Sequence, residues 1–251
     1  GIFTKYNVSQ VFGIHLWPFL PKGVISSRPG AFMPKSAEIN VDINGKAAHG
    51  TAPYEGLDAL YITADYVKRT YADHANMFGA IHRFKDGVGD LTYAPCDIPE
   101  ERTLIHFGKM ESGYARNIVS DYSHLLGTVR AYDEDHFQKI IGILTKNLEE
   151  IEKEYHCTTG FSHSDGYPPV INDKVLYDEI RPVLESLEGG YEEMPLPLMI
   201  SEDFSFYGQY APAVFFVLGT GTGIPLHSTN FDFEEDLLLS GFALYKALLT
   251  R

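Results

Sequence analysis

The stretch GIPLHSTNFDF, residues 223–233, sets His227 in a loop just past an apolar run, AVFFVLGTGT, that ends in glycines. A second histidine, His15, closes another apolar run, VFGIH, and is followed by Leu-Trp-Pro. In open α/β sheets ligand sites gather at the carboxyl ends of strands. Imidazole is the commonest side chain for holding a transition metal. Two histidines placed this way could therefore share a metal site, although over 200 residues separate them. The alternative for each is a turn or core histidine satisfied by a backbone carbonyl. MISEDFSFYG adds Glu202 and Asp203 directly after a third apolar stretch. Carboxylates there could ligate, support a ligand or cap a helix. Capping is the favoured reading for Asp203, and Glu202 is counted among the substrate-binding residues.

A separate group of candidates lies mid-chain. NGKAAHGTAPYEG puts His49 among small residues, which let a backbone or substrate approach closely. The alternative is a turn histidine bonded locally. YARNIVSDYSHLLGTVR holds Arg116, Asn117 and Arg130, with Asn117 and Arg130 thirteen residues apart and flanking one predicted strand. Arg offers a bidentate clamp and Asn a neutral donor, a pair suited to a carboxylate. An ordinary surface arginine on a solvated edge is the competing reading. The remaining seven histidines, among them His74 and His124, have no supporting constellation and receive no role.

The elements that must position these residues follow from periodicity. Residues 11–18 read as a buried strand stopped by proline, and a short strand is expected near 23–27. SAEINVDINGK alternates, with Ala37, Ile39, Val41 and Ile43 on one side, and ends in an Asn-Gly turn. Residues 56–74 repeat at helical spacing, with Leu57, Leu60, Tyr61, Ala64, Val67 and Tyr71 as the apolar stripe. Two more strands follow a long irregular insert at 77–102, and Gly127 is expected at a bulge or close contact. Asp133 caps a helix over 134–155, and CTTGFSHSDG gives a further strand. That order, β-α-β-β-α-β, is the split βαβ pattern: one antiparallel sheet with two helices on one face. After YPPVIND come a helix over 173–187, PLMI and AVFFVLG as buried strands, and a closing amphipathic helix. Apolar strands alternating with helices predict a parallel α/β sheet. The expected organisation is an α/β domain formed by 1–35 and 166–251, interrupted by a split-βαβ domain over 36–165.

Composition bounds the partners. The 251 residues are 44% hydrophobic and 22% charged, ordinary for a globular chain, and carry a net charge of −14. No basic stripe exists for nucleic acid, and no apolar run approaches the roughly 20 residues of a membrane span. Cys96 and Cys157 form no CxxC pattern, which suits a reducing cytoplasm.

Taken together, VFGIHLWPFLPKGVISSRPG, INGKAAHGTAP, RNIVSD…GTVRAYD, YPPVIND, SEDFSFY and PLHSTNFDF resemble, in order and over nearly the whole chain, the aminoacylase/carboxypeptidase clan of two-metal metallopeptidases. The branch is that of the amidohydrolases that include hippurate hydrolase, indole-acetyl-amino-acid hydrolases and N-acetyl-diaminopimelate deacetylase. The resemblance implies a zinc-peptidase α/β domain carrying a ferredoxin-like lid that forms a homodimer. It implies that His15 and His227 ligate two divalent ions, Zn²⁺ or Mn²⁺. It assigns His49 to the oxyanion of the scissile carbonyl, often from the partner subunit, and Asn117 and Arg130 to the carboxylate of an N-acyl amino acid.

Two departures accompany the resemblance. The family's early motifs, a Cys-Gly-His-Asp segment and a Glu-Glu pair that supply ligands and the general base, do not occur in these residues. A C-terminal fragment holding half an active site is therefore expected, inactive alone and binding no metal or one. The other departure is Pro53-Tyr54, where the family often has Pro-His. The rival expectation is a catalytically incomplete binding or dimerisation module.

Overall fold

The computed structural model of the chain describes residues 1–78 and 101–251. Nearly all of the insert expected at 77–102, Cys96 included, lies outside the described residues. The elements run α1 (Ile2–Tyr6), β1 (Val11–Trp17), β2 (Ile25–Ser27), β3 (Gly30–Met33), β4 (Lys35–Asn44) and α2 (Ala59–Phe78), then β5 (Thr103–Ser112), β6 (Tyr122–Ala131), α3 (Glu134–Tyr155) and β7 (Thr158–His163). They continue with β8 (Val170–Asn172), α4 (Lys174–Glu185), β9 (Tyr191–Glu193), β10 (Ala213–Gly219) and α5 (Leu238–Leu249). Contacts divide this mixed α/β chain into two units, Gly1–Met33 with Pro168–Arg251, and Pro34–Tyr167. Among the described residues no helix is long and apolar enough to cross a membrane.

The unit Pro34–Tyr167 is a four-stranded sheet in the order β5-β6-β4-β7, each neighbouring pair antiparallel. Period-two alternation sends Ala37, Ile39, Val41 and Ile43 of β4 to the core with Ile105, Leu125 and Val129. α2 and α3 close over that face. Asp133 starts α3 by accepting the backbone N–H of His136 at 2.7 Å, and Phe137, Ile140, Leu144, Leu148 and Ile151 point inward. Of the stripe expected on α2, Leu57, Val67 and Tyr71 pack against the core, while Leu60, Tyr61 and Ala64 are corrected. Ala59, Ile62, Tyr66 and His74 are buried, whereas Leu60 and Tyr61 are exposed. Both stripes have helical spacing, and Tyr61 is instead used at the rim, edge-on to Tyr155 of α3. The sheet's irregularity lies on β5 between Phe107 and Lys109, opposite Gly127.

The other unit holds the sheet β1-β10-β2-β9 and the small pair β3-β8. The parallel sheet expected here is corrected to a mixed one. β1 and β10 are parallel, β10 and β2 antiparallel, β2 and β9 parallel. PLMI is not a strand; the strand is Tyr191–Glu193. Pro195 and Pro197 lack the N–H groups a ladder needs, and Leu198 reaches back, donating its N–H to Phe32 O at 2.9 Å. β10 is buried along all seven residues because both its faces are covered. Val214, Phe216 and Leu218 pack with α4 and α5, while Phe215 and Val217 pack with Phe32, Met33 and Phe204. Asn172 ties the layers internally. Its Oδ1 accepts Phe215 N–H at 2.8 Å, and its Nδ2 donates to Ser27 Oγ at 3.0 Å and Arg28 O at 2.7 Å. β1, read as buried, is half-buried at the sheet edge, with His15 exposed.

Candidate functional site

His15 sits opposite Val217 in the parallel β1–β10 pair, two residues before both strands end at Trp17 and Gly219. Its Nδ1 donates to the carbonyl of Leu16 at 2.8 Å. A carbonyl can only accept, so this bond sets the proton on Nδ1 and leaves the Nε2 lone pair for a ligand. Beyond β10 the glycine-rich chain is fastened along the residues that follow β1. Thr220 N–H donates to Trp17 O at 3.0 Å, Gly221 N–H to Leu20 O at 2.9 Å and Gly223 N–H to Pro18 O at 2.9 Å. That strap carries the chain on to His227, which is exposed and has φ of 65°, in the left-handed region. For a residue with a Cβ this conformation costs about 1–2 kcal/mol.

Glu202 reaches the same edge of this unit. Its chain is extended and leads into a 3-10 helix over Asp203–Gln209. Burial and a hydrogen bond with the Asp203 carboxyl push the Glu202 carboxyl above its ordinary range, while nearby His15 pulls it down. The packing that brings them together depends on Gly13. A Cβ at Gly13 would lie 2.6 Å from Cδ2 of Phe204 and 2.7 Å from Cδ2 of Phe215. The bare glycine, two residues before His15, thus seats the phenyl ring two residues after Glu202. The cap expected of Asp203 is corrected: Glu202 occupies the cap position, and no side-chain cap bond forms. Gly13 and Phe204 escaped the sequence reading because a close approach between distant segments leaves no local spacing.

In the other unit His49 and Asn117 are neighbours. His49 and Ile118 form an isolated antiparallel bridge, Gly50 N–H donates to Asn117 O at 2.7 Å, and Val119 N–H donates to Ala48 O at 2.9 Å. A Cβ at Gly50 would come within 3.0 Å of that Asn117 oxygen, so the small residue permits the pairing. His49 and Asn117 are exposed. Thr51, which carried no signal in the sequence, touches the His49 ring: its Oγ1 lies 2.8 Å from Nδ1. Arg130 is elsewhere, near the far end of β6 and opposite Ser36. It donates through Nη1 to Thr128 Oγ1 and, at 3.0 Å, to Val129 O. Its Nε is buried without a partner among the described residues, and burial lowers its pKa. Among the described residues it has no ion pair. Tyr122 to Arg130 is eight residues of strand, about 26 Å at 3.3 Å each. Asn117 lies beyond the Tyr122 end, so one chain does not bring Asn117 and Arg130 together.

All 251 residues match the family described as Peptidase family M20/M25/M40. The chain belongs to this family. It is 28% identical over 258 residues to an uncharacterized hydrolase of Staphylococcus aureus, covering 99% of this chain and 62% of that protein. It is 31% identical over 249 residues to thermostable carboxypeptidase 2 of Saccharolobus solfataricus, covering 97% of this chain and 58% of that protein. Among solved structures it is similar to a putative aminohydrolase from methicillin-resistant S. aureus, with TM-score 0.82, 20% identity and coverage of 100% and 60%. It is also similar to the Bacillus subtilis YXEP protein, described as a dinuclear metal binding peptidase of the M20 family, with TM-score 0.71, 20% identity and coverage of 96% and 57%. The chain thus spans about three fifths of the length of these relatives.

Proposed function

We propose that this chain supplies metal ligands and substrate-holding groups to a hydrolase that cleaves the amide bond of an N-acyl amino acid. The observation that supports this most is His15 at the carboxyl edge of β1, its Nδ1 proton given to the Leu16 carbonyl so that Nε2 keeps its lone pair, with Glu202 near enough to feel the ring. Neutral imidazole with an Nδ1–H held by a carbonyl is the form that binds a divalent metal. His15 and His227 would each hold one of two ions, Zn²⁺ or Mn²⁺, since both accept nitrogen with carboxylate oxygen. The B. subtilis relative's dinuclear character accords with that count. Bound ions would supply Lewis acidity to the scissile carbonyl.

The remaining work falls to this chain's own groups. His49 donates to the oxyanion as the carbonyl becomes tetrahedral, a contact worth most in the transition state. Arg130 and Asn117 hold the substrate carboxylate, Arg130 by charge and Asn117 as a neutral donor. Because β6 keeps these two apart, Asn117 and His49 come from a second copy. The unit Pro34–Tyr167 is then read as a ferredoxin-like lid through which a homodimer forms, and the other unit as an α/β domain of zinc-peptidase type. A cytoplasmic setting suits the buried free thiol of Cys157.

The test is a two-by-two of variants against acid and amide substrates. A charge-assisted contact contributes roughly 1.5–3 kcal/mol, so Arg130→Ala lowers kcat/KM about ten- to a hundredfold on the acid. It does far less on a substrate whose carboxylate is already an amide. His49→Ala lowers kcat on both. Equal damage by Arg130→Ala to both substrates would remove the clamp and leave Arg130 a structural residue. One observation favours a second reading, a catalytically incomplete binding or dimerisation module. Among the described residues no three His, Cys, Asp or Glu side chains gather to hold a metal ion.

A further inference from the structure

The backbone around His49 is pinned on both sides. Ala52 N–H donates to His49 O at 2.8 Å, and Gly50 N–H donates to Asn117 O at 2.7 Å. Within that frame Thr51 meets the imidazole twice, at a single nitrogen. Its backbone N–H donates to Nδ1 at 3.3 Å, and its hydroxyl oxygen lies 2.8 Å from the same atom. A backbone N–H can only donate, so Nδ1 must present its lone pair. The hydroxyl is then the second donor to that lone pair, and the proton of the neutral ring sits on Nε2.

We propose that Thr51 is a positioning residue that holds His49 in the Nε2–H tautomer and turns that N–H outward as a hydrogen-bond donor. This deepens, and rests on, the reading of His49 as the donor to the oxyanion. In the other tautomer Nδ1–H would turn to the Thr51 hydroxyl, the Thr51 N–H would lose its acceptor, and Nε2 would present a lone pair. A lone pair repels a developing oxyanion, so the tautomer decides whether the group can act. The same device, a second group that fixes which nitrogen carries the proton, orients imidazoles at many sites.

The test is spectroscopic and needs no turnover. Imidazole ¹⁵N–¹H correlation spectra of the labelled chain, at a pH where His49 is neutral, separate protonated from unprotonated ring nitrogens. The wild type is expected to show an unprotonated Nδ1 and a protonated Nε2 at His49. Thr51→Val keeps the shape and the backbone N–H but removes the hydroxyl, and is expected to raise the Nδ1–H fraction. Thr51→Ser is expected to restore the wild-type pattern. A mixed population in the wild type, or an unchanged pattern in Thr51→Val, would overturn the proposal. Thr51 is exposed and both replacements are near-isosteric, so unchanged signals elsewhere report an intact fold. In protein that turns over an N-acyl amino acid, Thr51→Val should lower kcat roughly two- to tenfold, the scale of one neutral hydrogen bond. KM should stay nearly fixed and Thr51→Ser should recover the rate. Full turnover in His49→Ala would refute the oxyanion role itself, while the spectra judge Thr51 separately.

Discussion

Mixing two disabled variants tests the two-copy site. β6 separates Arg130 from the Tyr122 end by about 26 Å, and the His49–Asn117 pair lies beyond that end. If both groups serve one substrate, each site takes Arg130 from one copy and His49 with Asn117 from the other. Arg130→Ala and His49→Ala proteins are each expected to be severely impaired. When they are unfolded together and refolded at equal amounts, random pairing makes about half of the dimers mixed. A mixed dimer has one site carrying both substitutions and one site carrying neither. About a quarter of the wild-type activity should therefore return. The assay is the initial rate of N-acyl amino acid hydrolysis before and after co-refolding, with each variant refolded alone as control. A rate no higher than the mean of the two controls would refute the argument from strand length. A strictly monomeric active protein would refute it as well.

Two further perturbations probe the framework. Gly13→Ala drives a methyl into Phe204 and Phe215, which are 7% and 4% exposed and cannot swing away. It should cost about 1–3 kcal/mol as overpacking and displace Glu202; an unchanged melting temperature would show that the β1–Phe204 contact is looser than described. At the start of α3 a 2.7 Å bond from Lys35 Nζ, aided by Gln138, holds the Glu134 carboxyl below its ordinary pKa of 4.5. A depressed folded-state pKa means stability that is present above the unfolded value and lost as pH falls through the folded one. The stability gap between wild type and Glu134→Gln, about 0.5 kcal/mol for a pair whose carboxylate is exposed, should therefore close below pH 4.5 in urea titrations. A gap that widens with acid would reverse the sign.

How much of the fold the sequence carried depended on how local the signal was. α3 is legible from end to end because the Asp133 cap and the inward repeat from Phe137 to Ile151 coincide. β4 is legible because one buried face forces strict alternation. α2 is legible in part: Val67 and Tyr71 pack as their spacing predicts, but only packing against the sheet selects Ile62 and Tyr66 over Leu60 and Tyr61. PLMI reads as a strand by hydropathy, but its flanking prolines remove the ladder donors. Whether β2 runs with or against β10 is absent from periodicity altogether. The same limit applies to the candidate site. Which strands end at a common edge can be guessed from apolar runs, but one feature arises only when distant segments meet. That is the seat Gly13 makes for Phe204; the distance β6 imposes between Asn117 and Arg130 is already implicit in the predicted strand between them.

The central claim is that His15 and His227 are ligands of separate divalent ions in a hydrolytic centre. Metal content per chain, measured by atomic spectroscopy on hydrolytically active protein after dialysis, tests it most directly. The account predicts about two ions in the wild type and the loss of about one with either His15→Ala or His227→Ala, since removing one imidazole from a site of about four ligands releases its ion. Equal metal content in all three proteins would contradict it.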